Sequence, residues 1–216
     1  MTKEDFLREL STNLNITLTE KQISELNFYA KFLLEYNEHT NLTAIKTLED
    51  VYLKHFYDSL TIVKNVDLTK VTTLLDSNNK KIAFLKELAA KLALNVEIIY
   101  DRAEIFVQNR REYYDIVTSR AVADLSILAE LAIPYLKVGG NFIAMKANYQ
   151  EELHNALNII KKLNSKVTKI TEFTLGNTDM NRGIITINKE KMTNKKYPRN
   201  YNIIKKEAQI KLQKHQ

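Results

Sequence analysis

Four groups of residues in this chain have types and spacings that suggest chemistry. Ser119-Arg120 closes a short run rich in β-branched residues, Asp115-Ile116-Val117-Thr118-Ser119, and Lys146 closes a second apolar run, Asn141 to Met145. Asp76-Ser77 ends a third run, Val71 to Leu75. His55 and Asp58 lie three positions apart in a helical stretch, a spacing that puts two side chains on one face of an α-helix. A cation just ahead of a helix start faces the positive end of the helix dipole. Arg120 is therefore either a surface cation with its head in water or one held to meet an anionic ligand group or a polar base edge. An acid at a strand's carboxyl end can accept both hydroxyls of a ribose; Asp76 or Ser77 can equally cap the helix that follows. His55 and Asp58 can equally be a solvated pair on an amphipathic helix. No second histidine or carboxylate is spaced to complete a metal site.

The elements that must position these groups are legible from periodicity. Residues 114–147 read as strand, helix, strand: Leu125, Leu128, Ala129, Leu131, Ala132 and Leu136 recur at helical spacing between the two apolar runs. Lys137-Val138-Gly139-Gly140 reads as the turn between them. A strand, a crossover helix and a parallel strand make the unit of an open α/β sheet, which binds ligands at the carboxyl ends of its strands. Upstream, a strand over Val71–Ser77 precedes a helix from Asn78 to Ala93, and Asn95–Tyr100 is a further strand leading into Asp101-Arg102-Ala103-Glu104. A glutamate in a helix's first turn is favoured anyway, so Glu104 alone says little.

The first third is helical. Thr2 caps a helix through Leu10, Thr19 caps a longer one with Gln22 at the box position, and Thr47 opens a third with Asp50 three residues on. Asn41–Ile45 is an extended or turn segment. After the central unit come a helix over Tyr149–Leu163, a strand over Lys166–Phe173, turn residues at 176–179, and a last, antiparallel strand over Arg182–Ile187. Past Asn200 the pattern is weak and fraying is expected.

The chain has 216 residues, 44% of them hydrophobic, enough for one α/β domain with a modest extension. Cysteine is absent, which removes disulfides and thiolate chemistry. No apolar run is long enough to span a membrane, and a cytoplasmic protein is expected. The net charge of +6 is uneven: residues 189–216 hold nine Lys/Arg against two Asp/Glu, so the remainder carries −1. Lys195-Lys196-Tyr197-Pro198-Arg199 mixes cations with an aromatic ring, a combination suited to phosphate contact and base stacking.

YNEHTNLTAI at 36–45, HFYDSL at 55–60, LLDSNNKK at 74–81, DRAE at 101–104, DIVTSRAVADL at 115–125, KVGGNFIAMKA at 137–147 and KKYPR at 195–199 follow one another in a familiar order. In these segments the chain resembles the bacterial ribosomal RNA small-subunit methyltransferase G family, also called glucose-inhibited division protein B. The resemblance implies a single methyltransferase-like domain over 1–216, with a helical part at 1–65, an α/β sheet at 71–188 and a basic tail at 189–216. The implied fold is a Rossmann-like class I methyltransferase sheet with an N-terminal helical extension. The implied activity is transfer of a methyl group from S-adenosylmethionine to N7 of one guanine in 16S ribosomal RNA, free or in the small ribosomal subunit, by a monomer that needs no metal and no membrane. Residue by residue, Ala103 and Glu104 match adenine-side contacts, Asp76 and Ser77 the strand end near the ribose, and Arg120 a cofactor contact in the Ser-Arg-Ala segment. Asn41, His55, Asp58 and Lys146 match motif positions around the cleft. Arg182, Lys195, Lys196 and Arg199 match basic residues that face RNA.

The chain departs from the family at one place. The family's first strand runs into a glycine-rich loop, which lets backbone approach the methionine part of the cofactor where a Cβ would block it. Here all four glycines lie at 139 and beyond. Two similar strands fused by loss of the strand, loop and helix between them would explain VTTLLDSNNKK at 71–81. The sheet then lacks its first central strand. Val71–Leu75 is expected to close directly onto Asp115–Thr118, with weak S-adenosylmethionine binding or none. A degenerate relative that still binds RNA is the other reading.

Overall fold

The computed structural model describes residues 1–67, 73–120 and 122–213, and the chain divides into two compact units, Met1–Arg102 and Ala103–Gln216. Val71 and Thr72 of the expected strand, and Ala121 of the Ser-Arg-Ala segment, lie outside the described residues.

In the first unit, side-chain caps start the helices where the sequence places them. α1 (Lys3–Leu14) opens with Thr2 Oγ1 accepting from the Asp5 N–H at 3.1 Å. α2 (Glu20–Thr40) opens with a reciprocal box: the Gln22 N–H donates to Thr19 Oγ1, and the Thr19 N–H to Gln22 Oε1. α3 (Leu48–Asp50), capped by Thr47, passes straight into a π-helix (Val51–Tyr57), then α4 (Asp58–Leu60) and a 3₁₀ turn (Thr61–Lys64). Aromatic rings fill the space between these helices. Phe6 packs on Tyr52 at 5.2 Å, Tyr29 on Phe56 at 5.1 Å, and Phe32 stacks on Phe84 at 5.4 Å. β1 (Thr73–Asp76), α5 (Asn79–Lys91) and β2 (Glu97–Tyr100) form a strand–helix–strand unit whose strands pair in parallel, Thr73 opposite Glu97 and Asp76 opposite Tyr100.

The second unit is built on a four-stranded sheet. It runs α6 (Ala103–Arg110), β3 (Tyr114–Arg120), α7 (Leu125–Ala132), a 3₁₀ turn (Ile133–Tyr135), β4 (Leu136–Lys146), α8 (Gln150–Lys162), β5 (Ser165–Thr174), β6 (Asn181–Lys189) and α9 (Tyr201–Gln213). The order is β3-β4-β6-β5, with β3 parallel to β4 and the other pairs antiparallel. Leu125, Ala129 and Leu136 pack with Ala156, Ile160 and Leu163 of α8 and with Phe142, Ile185 and Ile187 of the sheet, all buried.

Three sequence expectations are corrected. Among the described residues the sheet expected over 71–188 is two sheets, and Thr73–Leu75, the described part of the run expected to close onto Asp115–Thr118, pairs with β2, while β3 pairs with β4. Each strand keeps the partner reached over one crossover helix, which closes a shorter loop than a pairing across some forty residues. Lys137–Gly140 is part of β4 and not a turn. The register steps from Tyr114 opposite Leu136 to Ile116 opposite Asn141, and Gly139 takes φ 86° in the resulting bulge. A Cβ on Gly140 would stand 2.9 Å from the Asp115 carbonyl. Among the described residues past Asn200, where fraying was expected, Tyr201–Gln213 form α9, whose Ile204 and Ala208 are buried against Ile127.

Candidate active site

In the first unit the motif residues sit on a loop and a π-helix that other side chains hold. Asn41 caps α2 in the left-handed region, at φ 53°, its N–H bonded to the Asn37 carbonyl at 3.1 Å. The loop beyond it is organised by the buried Asn37, whose Oδ1 accepts from the Thr43 N–H at 3.0 Å and whose Nδ2 donates to the carbonyls of Thr43 and Ile45. His55 lies in the π-helix and Asp58 opens α4 directly after it, its N–H donating to the carbonyls of Leu53 and His55. His55 Nε2 meets the Tyr29 hydroxyl at 2.8 Å, and Asp58 is 5% exposed. π-helical segments are rare, and they concentrate at functional sites.

Asp76 ends β1. Its Oδ1 accepts from the Asn78 N–H at 2.7 Å, its Oδ2 lies 3.6 Å from Lys81 Nζ, and its carbonyl accepts from the Asp101 N–H. Asn78, not Asp76 or Ser77, caps α5, accepting from the N–H groups of Lys80 and Lys81. That leaves Ser77 exposed at the strand end.

In the second unit, Ala103 and Glu104 form the first turn of α6, and the Tyr135 hydroxyl anchors that turn by donating to the Ala103 carbonyl at 2.6 Å. Arg120 ends β3 opposite Met145, and Lys146 ends β4 one residue on. Lys146 is 9% exposed at its side chain and is engaged. It pairs with Glu152 at 2.6 Å and donates to the Ala123 carbonyl, while Glu152 also accepts from the Leu125 N–H. Its observed work is to hold the segment after β3 against α8. The Ser119 Oγ, beside Arg120, is buried and has no hydrogen-bond partner among the described residues.

The four basic residues expected to face RNA divide. Lys195 and Lys196 are exposed, with Lys196 over the Tyr197 ring. Arg182 opens β6, its Nη1 donating to the Asn181 carbonyl. Arg199 turns inward. Its Nε and Nη2 grip both oxygens of the buried Glu130 at 2.8 and 2.7 Å, and its Nη1 reaches Glu207 at 2.7 Å. The Glu130 carboxylate beside it holds the guanidinium well above its ordinary pKa. Sequence reading missed this pair, although a glutamate in the otherwise apolar LSILAELA of α7 signals a buried partner. Among the described residues no His, Cys, Asp and Glu side chains gather into a metal site, and no helix is long and apolar enough to cross a membrane.

The chain matches the family profile described as rRNA small subunit methyltransferase G over residues 22–72 and 65–181. Residues 65–72 fall in both matched ranges. It is 45% identical to the ribosomal RNA small subunit methyltransferase G of Limosilactobacillus reuteri over 231 aligned residues, covering 92% of this chain and 95% of that protein. It is 40% identical to the protein of the same name from Bacillus velezensis over 228 residues, covering 92% and 95%. The 92% is about 199 residues, so about 32 of the 231 aligned positions have no counterpart in this chain. Solved structures fit more loosely: Mycoplasma capricolum TrmK, in complex with S-adenosyl-homocysteine, is 20% identical at a TM-score of 0.45 over 65% of this chain and 62% of that one. With a profile that covers most of its length and relatives above 40% identity, the chain belongs to the rRNA small subunit methyltransferase G family.

Proposed function

We propose that the chain methylates N7 of a guanine in small-subunit ribosomal RNA with S-adenosylmethionine as donor. The observation that carries this is the family match, which runs across both compact units. We accordingly read the two units as one working methyltransferase domain, active as a monomer in the cytoplasm where its substrate resides.

The residues fit the cofactor on one side. Within the first unit, Asp76 and Ser77 at the end of β1 suit the ribose; within the second unit, Ala103 and Glu104 at an anchored helix start suit the adenine, and Arg120 stands at the end of β3. The Ser119 hydroxyl beside it, without a hydrogen-bond partner among the described residues, is a further polar group at the same strand end. The methionine side does not fit, because no glycine precedes residue 139 to form the turn that would cradle it. When bound, the cofactor supplies an activated methyl group. Guanine N7 carries a free lone pair, so no proton must leave before attack. The protein's part is alignment and exclusion of water. We assign Asn41, His55 and Asp58 to holding the first unit's motif loop and π-helix and not to proton transfer. We assign Lys146 to fixing the segment after Arg120, and Lys195, Lys196 and Arg182 to the phosphate backbone.

The test is to map N7-methylguanine in the host's small-subunit RNA with the gene present, deleted and restored. One methylated guanine that disappears on deletion and returns with the gene is expected. An unchanged methylation pattern overturns the proposal.

A further inference from the structure

At one end of the second unit's sheet lies a cavity of about 350 Å³, and Asn148, Tyr149, Gln150, Glu172, Asn181 and Arg182 contribute to its lining. The register places it at the reactive edge. Arg120 is opposite Met145, the next residue Lys146 is opposite Gly183, and Gly183 is opposite Glu172. This row crosses the sheet at the carboxyl ends of its two parallel strands, where α/β sheets take their ligands. Three strand spacings separate β3 from β5, roughly 14 Å. That span accommodates a purine beside whatever Arg120 holds.

The wall around Glu172 is built. Tyr149 is buried, and its ring lies where a side chain on residue 183 would be: a Cβ on Gly183 would stand 2.3 Å from the ring. The seated ring aims its hydroxyl at Glu172 and donates to Oε1 at 2.5 Å, with Gln150 Nε2 adding a longer contact at 3.4 Å. Both contacts fall on Oε1, and among the described residues nothing bonds Oε2. The carboxylate also raises the Tyr149 pKa, which keeps the phenol a donor. Side-chain amides of Asn148 and Asn181 lie around the same cavity.

We propose that this cavity seats the target guanine and that Glu172 reads its Watson–Crick edge. This rests on the guanine-N7 reading above. N7 must stay open to the methyl group, so the base has to be held by its opposite edge. There guanine presents two donors, N1–H and the N2 amino group, beside the O6 acceptor. A carboxylate fixed by one oxygen accepts from N1–H and N2–H, and the neighbouring amides can donate to O6. Adenine presents an acceptor at N1 and no amino group at C2, so the same carboxylate rejects it.

The experiment is saturation-transfer NMR on the full chain with guanosine, inosine and adenosine as probes. Guanosine should bind in the millimolar range, inosine (lacking the N2 amino group) about tenfold more weakly, and adenosine more weakly still. Glu172→Gln keeps the shape but replaces an acceptor with a donor, so it should bring the three nucleosides within about threefold of one another; Glu172→Ala should do the same. Wild-type binding without guanosine preference, or preference retained in either variant, overturns the assignment, as does failure of the wild type to bind any nucleoside. None of these readouts needs methyl transfer. A chain that prefers guanosine through Glu172 but methylates nothing would fail the functional proposal and keep this one, and the reverse result would do the opposite.

Discussion

Replacing Arg199 with alanine removes three guanidinium contacts and leaves a carboxylate stranded. Arg199 binds both oxygens of Glu130 through Nε and Nη2, and its backbone N–H adds a third bond at 2.9 Å that survives the substitution. The Glu130 side chain is 1% exposed, whereas Arg199 is 30% exposed, so water can reach one partner but not the other. Breaking a buried pair from one side costs about 3–5 kcal/mol. Partial exposure of the arginine and the surviving backbone bond favour the lower end, about 3 kcal/mol. The contact to the half-exposed Glu207 adds at most about 0.5 kcal/mol. With a urea m-value of about 3 kcal/mol per molar, the midpoint should fall by about 1 M. Urea titration followed by circular dichroism measures it. Glu130→Gln in the Arg199→Ala background should recover part of the loss, because it removes the uncompensated charge. A midpoint within 0.2 M of wild type (roughly the resolution of such titrations) would refute the buried-pair account. So would an unchanged midpoint combined with a lower salt slope of RNA binding, the signature of an arginine spent on phosphate.

Lys189 is fully buried and donates to Glu112 at 3.0 Å and to the Leu136 carbonyl at 2.8 Å, so Lys189→Met should cost about 3 kcal/mol at neutral pH, measured by the same titration. Burial lowers its pKa from the ordinary 10.5, against the opposing pull of Glu112, so between the lowered value and 10.5 the unfolded chain holds the extra proton. Stability from this group therefore rises with pH through that window, and the wild type's margin over Lys189→Met should widen toward pH 10.5; a constant margin would count against it. For RNA, the double substitution Lys195→Ala/Lys196→Ala should flatten the salt dependence by roughly two log–log slope units without moving the urea midpoint, since both are exposed. Filter binding at several salt concentrations checks it, and an unchanged slope would remove these lysines from the RNA contact.

What the sequence made legible and what it hid divide along one physical line. Thr2, Thr19 with Gln22, and Thr47 announce their helices because a cap acts within four residues. The parallel pair β3–β4 was readable for the same reason, as local apolar runs joined by a periodic helix; the β1–β2 pair was not, because an apolar run does not name its partner. The hidden features are long-range. The basic tail reads as an RNA-facing arm, yet Arg199 meets Glu130, 69 residues away, and Lys189 meets Glu112, 77 residues away. Gly139-Gly140 reads as a turn because glycine pairs usually are; the bulge that uses them is set by the register of a neighbouring strand. Nothing in VYLKHFYDSL announces the π-helix that carries His55. The organising role of Asn37 was missed because its partners, Thr43 and Ile45, lie beyond the helix it ends.

The chain's glycines bear on the cofactor, because the described structure accounts for each without a cradle. Gly139 takes φ 86° in the β4 bulge, Gly140 passes the Asp115 carbonyl where a Cβ would stand at 2.9 Å, Gly176 takes φ 55°, and Gly183 seats Tyr149. A backbone turn close enough to bond a ligand's carboxylate and ammonium groups requires residues without a Cβ. None is available near Asp76, so the methionine half of S-adenosylmethionine has no turn to bind. On the assignment proposed above, Ala103, Glu104, Asp76 and Arg120 remain for the adenosine half. Affinity for adenosine and for S-adenosylmethionine should therefore converge. A working cradle that forms two charge-assisted bonds adds about 2–3 kcal/mol, a preference of roughly thirtyfold or more. Here the two dissociation constants should lie within about threefold of each other. Titration calorimetry of the full chain with each ligand, and with S-adenosylhomocysteine as a third, reads this directly. A thirtyfold preference for S-adenosylmethionine would mean that some other segment holds the methionine without glycine, and the argument from the missing loop would fall.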